Sequence, residues 1–220
     1  VGPPGAASAP CAAAPGRPAA QSDSESESEE CSLALWAGRD RPDRVVYVWD
    51  TAQEEVALLR SEAREATAVA FDVEWKPDRH KGSNNPAAVL QLGFESGSVF
   101  VLQLQRLRPL PREVQDLLWR PGCRRVGFGT DTDVAKLALA GVKLGSVLDL
   151  QAYCQERCGL REMMPGLRQI ALSVLGFDLP KDKRVTCSNW SRTELTPDQV
   201  EYAAMDAWVT LRLFWALALN

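Results

Sequence analysis

Histidine is almost missing from this chain: its 220 residues contain one, His80, and none of the six cysteines (Cys11, Cys31, Cys123, Cys154, Cys158 and Cys187) belongs to a Cys-x-x-Cys pair. Zinc bound through the usual Cys/His spacings therefore has no ligands to draw on. No secretory signal stands out, so reduced thiols in an intracellular compartment are expected, the nucleus ahead of an organelle. Cys154 and Cys158, four apart on an expected helix, read as core residues. Long apolar runs are scarce as well. The most apolar stretch, Ala207 to Leu219, is interrupted by Arg212 and too short to span a bilayer, so no membrane partner is expected. The chain begins with Val rather than Met, as a piece of a longer protein would, with any targeting signal then lying upstream.

An excess of positive charge is missing too. The net charge of −4 sits entirely in the first 30 residues, where Asp23, Glu25, Glu27, Glu29 and Glu30 face only Arg17. The neutral remainder neither announces nor excludes a polyanion partner, because local patches and bound cations set the field at a site.

What is present fits one domain with a tail: 45% of the chain is hydrophobic, enough for a sizeable core. Residues 1–32 are Ala/Pro-rich and then alternate serine with acid, a composition that buries too little apolar surface to offset ordering entropy, so disorder is expected there. Such a tail solvates or links, and phosphorylated serines would let it recruit protein partners. From Val45 onward, strands are expected at Val45–Trp49, Ala66–Trp75, Val89–Phe94, Val99–Leu102, Arg125–Phe128 and Val147–Leu150. The third and fourth should form a hairpin through Glu95-Ser96-Gly97-Ser98. Helices are expected at 51–65, 111–119, 131–140, 151–157, 165–175 and 196–219, with a polar loop over 180–195. Strands and helices in this order make an α/β domain with a mixed sheet.

Acids fall at telling places in that scheme. Asp72 and Glu74, two apart on a strand, project from one face while Val73 projects from the other. A strand at the sheet edge would show such a pair to water. The uncharged run Thr67 to Phe71 before it argues for a buried strand, where two neighbouring carboxylates call for a cation, and Mg2+ or Mn2+ suits oxygen ligands. Asp131 and Asp133 open the next motif, Gly127-Phe128-Gly129-Thr130-Asp131-Thr132-Asp133. One of the two is expected to cap the helix, leaving the other free. The Gly-x-Gly alone is a weak phosphate-loop signal. In the last helix Thr196, Pro197 and Gln199 read as a capping box, and Tyr202 and Asp206 share a face one turn apart. A strand Asp-x-Glu, a helix-start Asp and a Tyr-x-x-x-Asp together supply what two-metal phosphodiester hydrolysis needs, carboxylates holding cations roughly 3.5–4 Å apart.

With Phe71-Asp72-Val73-Glu74-Trp75, Val89-Leu90-Gln91-Leu92, Gly127-Phe128-Gly129 leading to Asp133, Leu148-Asp149-Leu150, Cys187-Ser188-Asn189-Trp190-Ser191 and Leu195 to Ala207, the chain resembles the DEDD superfamily of 3′-5′ exonucleases. It is closest to the Tyr-containing branch and its Werner-type subgroup, over residues 45–218. The other branch places a His shortly before its last Asp, and His80 is nowhere near Asp206. The resemblance implies an RNase H-like fold, a five-stranded mixed sheet with helices on both faces and the acids at one end. It implies Asp72, Glu74 and Asp206 as direct ligands of two divalent cations, Mg2+ or Mn2+, Asp133 as a ligand acting through water, and Tyr202 as the residue that positions the nucleophile. Asp133 is preferred to Asp131 because Val134, Leu137, Ala138 and Gly141 would then form a packed stripe behind it.

The implied function is hydrolysis from the 3′ end of DNA or RNA with release of 5′-mononucleotides. A catalytically inert nucleic-acid-binding or protein-interaction module of the same fold is the alternative, and the retained acids and Tyr202 weigh against it. Candidate substrate contacts are Lys76, Arg79 and Lys81 in the loop after the acid-bearing strand, and Trp190 with the strip of Lys181, Lys183, Arg184 and Arg192 that flanks it; the basic residues have a solvated-surface explanation of equal weight. Trp75 alternates with the acids and is expected in the core.

Overall fold

The computed structural model describes residues 40–157 and 164–218; the tail of residues 1–32, with Cys11 and Cys31, and Cys158 lie outside the described residues. The elements run β1 (Arg44–Val48), α1 (Glu55–Glu65), β2 (Ala68–Trp75), β3 (Ala87–Phe94), β4 (Ser98–Gln103), α2 (Arg112–Trp119), β5 (Arg124–Gly127), α3 (Asp131–Leu139), β6 (Val147–Asp149), α4 (Leu150–Arg157), α5 (Leu167–Leu175), α6 (Lys183–Thr186) and α7 (Pro197–Ala218). One sheet takes the order β1-β4-β3-β2-β5-β6. Its β2–β3 and β3–β4 pairs are antiparallel and the other three parallel. The sheet has six strands rather than the five implied by family resemblance. The edge strands are β1, parallel to β4, and the three-residue β6, which pairs with β5 from Arg125↔Val147 to Gly127↔Asp149. The expected polar loop over 180–195 also contains the one-turn α6, capped by Asp182, whose carboxylate accepts from the Arg184 N–H.

Two apolar layers cover the sheet, and β2 shows how they divide. Val69, Phe71 and Val73 face α1, α2 and α3, while Ala68 and Ala70 face α4, α5 and α7. Trp75 joins the first layer, as alternation requires. Small residues on the α7 side let that long helix lie close to the sheet. At Gly93 on β3 a Cβ would stand 3.3 Å from the Ala207 carbonyl oxygen, so helix backbone rests almost on strand backbone. The capping box that starts α7 is formed: the Thr196 N–H donates to Gln199 Oε1 (3.0 Å) and the Gln199 N–H to Thr196 Oγ1 (3.2 Å). Cys123 and Cys154 are buried, and Cys187 is exposed. Among the described residues no helix is long and apolar enough to cross a membrane.

Candidate active site

Asp72 and Glu74 continue the Ala68/Ala70 face of β2, so they look toward α7 from the far end of the strand. β2 is central, hydrogen-bonded to β3 on one side and β5 on the other, which removes the edge-strand explanation of the pair. The close seat of α7 on Gly93 delivers Asp206 to the same place. One oxygen from each of Asp72, Glu74 and Asp206 lies within 4.8 Å of the others. Asp133 approaches from α3; it is 6% exposed and its carboxyl feels the charges of Asp72 and Asp206. Tyr202, half-buried one turn before Asp206, packs its ring 6.1 Å from the Trp190 indole.

Withdrawal from water dominates the electrostatics. Burial pushes the Asp72 carboxyl up to about 6 against the opposing Val73 N–H. It pushes Asp133 up to about 8, helped by Asp72, Asp149 and Asp206. Asp206 rises to about 8 through burial and Asp72, with a Tyr202 hydrogen bond and Lys181 pulling the other way. Glu74 lies well above the usual range, from burial and the charges of Asp72, Asp206 and Asp133. Four acids crowd together, and among the described residues Lys181 is the one basic side chain whose field relieves any of them. Gln91, opposite Asp72 on β3, adds a fully buried amide with neither its oxygen nor its nitrogen hydrogen-bonded. Such a donor set fits a hard divalent cation, which would neutralise the carboxylates and relieve their mutual repulsion.

Asp149 behaves otherwise. Its Oδ1 accepts from the Gly129 (3.0 Å) and Gln151 (2.8 Å) N–H groups, and its Oδ2 from the Thr130 N–H (2.7 Å) and hydroxyl (3.0 Å). Burial pushes this carboxyl up, but the hydrogen bonds outweigh it and hold it below the usual range. Asp149 thereby ties the start of α3 to the start of α4. Neither Asp131 nor Asp133 caps α3 as expected, since its N-cap Thr130 makes no side-chain capping bond. The Gly-x-Gly serves this same turn: a Cβ at Gly127 would overlap the Thr130 methyl, and Gly129 adopts φ +69°.

Asp133 is the inward acid of its helix, Asp131 being exposed, yet the stripe used to choose it is wrong. Val134 is 37% exposed and Ala138 also faces out; the buried positions of α3 are Asp133, Lys136 and Leu137. Trp190 is likewise corrected. It is fully buried and its indole N–H donates to the Thr186 carbonyl at 3.1 Å, so it backs Tyr202 and has no surface for substrate. Lys76, Arg79, Lys81 and Arg192 are exposed. Arg79 donates to the Cys187 carbonyl at 3.2 Å, joining the loop after β2 to the loop before α7. Arg192 lies where its charge reaches Tyr47, and its carbonyl accepts from Gln103 Nε2 at 2.7 Å. Gln91 and Lys136 escaped attention as site residues, although Gln91 stood inside a recognised motif.

A mixed sheet with helices on both faces and acids converging at the end of its central strand defines an RNase H-like nuclease fold. The 3′-5′ exonuclease family matches residues 47–220, and the chain belongs to that family. Among curated relatives, the Mus musculus bifunctional 3′-5′ exonuclease/ATP-dependent helicase WRN is 30% identical over 182 residues, covering 80% of this chain and 13% of that protein. The Homo sapiens exonuclease 3′-5′ domain-containing protein 2 is 33% identical over 190 residues, covering 81% and 30%. The chain thus spans less than a third of the length of either. Trypanosoma brucei RNase D, solved in complex with RNA U12, shares the fold at TM-score 0.70 and 22% identity, covering 87% of this chain and 67% of that one. The Aedes aegypti Nibbler EXO domain does so at 0.65 and 23%, covering 78% and 86%.

Proposed function

We propose that this domain cleaves the terminal phosphodiester bond at the 3′ end of a nucleic acid strand and releases 5′-mononucleotides, in the manner of the Tyr-containing branch of its family. The observation that carries the reading is the convergence of Asp72, Glu74 and Asp206 oxygens within 4.8 Å. These three would hold two divalent cations, Mg2+ or Mn2+, directly, with Asp133 completing the set through water. When bound, such cations lower the pKa of water and stabilise the charge on the attacking and leaving oxygens.

The chain's own groups do the rest. Burial and the Asp206 charge push the Tyr202 phenol up, so it stays protonated near neutral pH and orients water by hydrogen bonding rather than taking its proton. Trp190 fixes the ring from behind. Lys181, close enough to affect Asp206, and exposed Lys76 and Lys81 are cations available to substrate phosphates; Arg79 contributes less, being engaged with the Cys187 carbonyl. No acid of the set is lost, which disfavours an inert module.

The test is an end-labelled single strand, in matched DNA and RNA versions, with Mg2+ or Mn2+, beside EDTA and Asp72→Ala controls. Stepwise shortening from the 3′ end that both controls abolish is expected. Absence of shortening, or shortening indifferent to Asp72→Ala, would refute the assignment.

A further inference from the structure

Lys136 lies three residues after Asp133 on the inner face of α3 and is 5% exposed. Its ammonium is fully engaged: Nζ donates to Asp78 Oδ2 at 2.6 Å and to Asn84 Oδ1 at 2.9 Å, and lies 5.2 Å from the centre of the Trp75 ring. Buried charge of this kind is a weak source of stability, because an apolar side chain of the same volume would avoid the desolvation. Its partners suggest another use. Trp75 ends β2 directly after Glu74, where the β2–β3 register shifts between Glu74 and Trp75, and Asp78 and Asn84 belong to the connection that follows. That connection is folded around the lysine. Asp78 Oδ1 also accepts from the Asn85 N–H (2.8 Å) and from Asn85 Nδ2 (2.9 Å), and the same Nδ2 reaches the Lys76 carbonyl at 2.9 Å.

We infer that Lys136 is a positioning residue for the acid cluster: by gripping the connection from Trp75 to Asn85 it fixes α3, and with it Asp133, against the end of β2 that carries Glu74. The inference rests on the cation-binding reading above. The ammonium is committed to Asp78 and Asn84, so what it gives Asp133 is place rather than charge. Asp149 holds the start of α3 from the β6 side and Lys136 holds the helix from the β2 side.

Lys136→Met, which keeps the apolar stem and removes the ammonium, tests this in the full chain. The Mn2+ concentration giving half of the maximal rise in melting temperature should increase on the order of 10-fold, and kcat should fall by about as much with KM unchanged. Lys136→Arg should recover part of both. Asp78→Asn, which leaves the lysine in place, should shift both readouts in the same direction and decides the matter if Lys136→Met does not fold. A variant that melts earlier in EDTA but keeps the wild-type Mn2+ midpoint and kcat below its melting temperature would make Lys136 merely structural and overturn the inference. Wild-type protein that Mn2+ fails to stabilise would instead overturn the cation-binding reading, and this inference with it.

Discussion

Asp133 stands in the first turn of α3 and Asp149 ties that turn down from the end of β6; burial pulls both carboxyls upward, yet they end in opposite states. Asp149 meets three backbone N–H groups and a hydroxyl and is held below the usual range. Asp133 meets the charges of Asp72, Asp149 and Asp206 and is pushed up to about 8. The fold supplies everything Asp149 needs and far less to the others: Asp72 has the Val73 N–H and Asp206 has Tyr202 and Lys181, and burial and mutual repulsion outweigh both. A carboxylate satisfied by backbone is a structural tie. Carboxylates crowded against one another are a demand for a cation from outside the chain.

The contrast breaks most visibly at Asp206. Asp206→Ala should abolish shortening of an end-labelled strand while raising the melting temperature of the EDTA-treated protein at pH 8, because a buried like charge is gone; lost stability with retained cleavage would reverse the assignment. Tyr202→Phe should leave that melting temperature and the Mn2+ midpoint close to wild type but reduce kcat on the order of 10²-fold, as misplaced reactants do; single-turnover kinetics would read it. Asp149→Asn should behave as the structural counterpart. It loses acceptor capacity for the partly buried Thr130 and Gln151 N–H groups and should cost about 1 kcal/mol of stability at pH 7, seen in urea unfolding with EDTA present. Because Asp149 has a depressed folded-state value, its contribution exists above the unfolded carboxyl range and disappears as pH falls through its own, so the variant and wild type should converge as pH drops below the ordinary carboxylate range. The smallest effect belongs to the rim: Lys81→Ala should lower the slope of log affinity against log salt by about 1, leaving kcat intact.

Much of this site could be read from local pattern. Period-two alternation put Asp72 and Glu74 on one face, and the capping box and the i, i+4 spacing put Tyr202 and Asp206 on another. These are short-range rules, and the chain obeys them. What escaped depends on partners far along the chain. Asp149 caps a helix that begins 18 residues earlier, through a strand pairing of only three residues. Lys136 is buried because Asp78, 58 positions before it, is there to receive it; helical periodicity alone assigned its neighbours Val134 and Ala138 to the interior. Trp190, set between Asn189 and Ser191, has polar sequence neighbours but packs against Tyr202 of α7, and its N–H finds the Thr186 carbonyl at the end of α6. All six strands were visible locally, Val45–Trp49 and Val147–Leu150 at the edges included, and the count of five came only from the resemblance.

The most direct measurement of the central claim is thermal unfolding of the wild-type domain from pH 5 to pH 8, in EDTA and in Mn2+. Asp133 and Asp206 are raised to about 8 in the folded state, so between the unfolded carboxylate range and that value the folded chain binds more protons than the unfolded one, and stability must fall as pH rises. The account predicts a melting temperature in EDTA that declines steadily toward pH 8 and a decline that Mn2+ abolishes. A melting temperature independent of pH in EDTA, or one that Mn2+ leaves unchanged at pH 8, would contradict it.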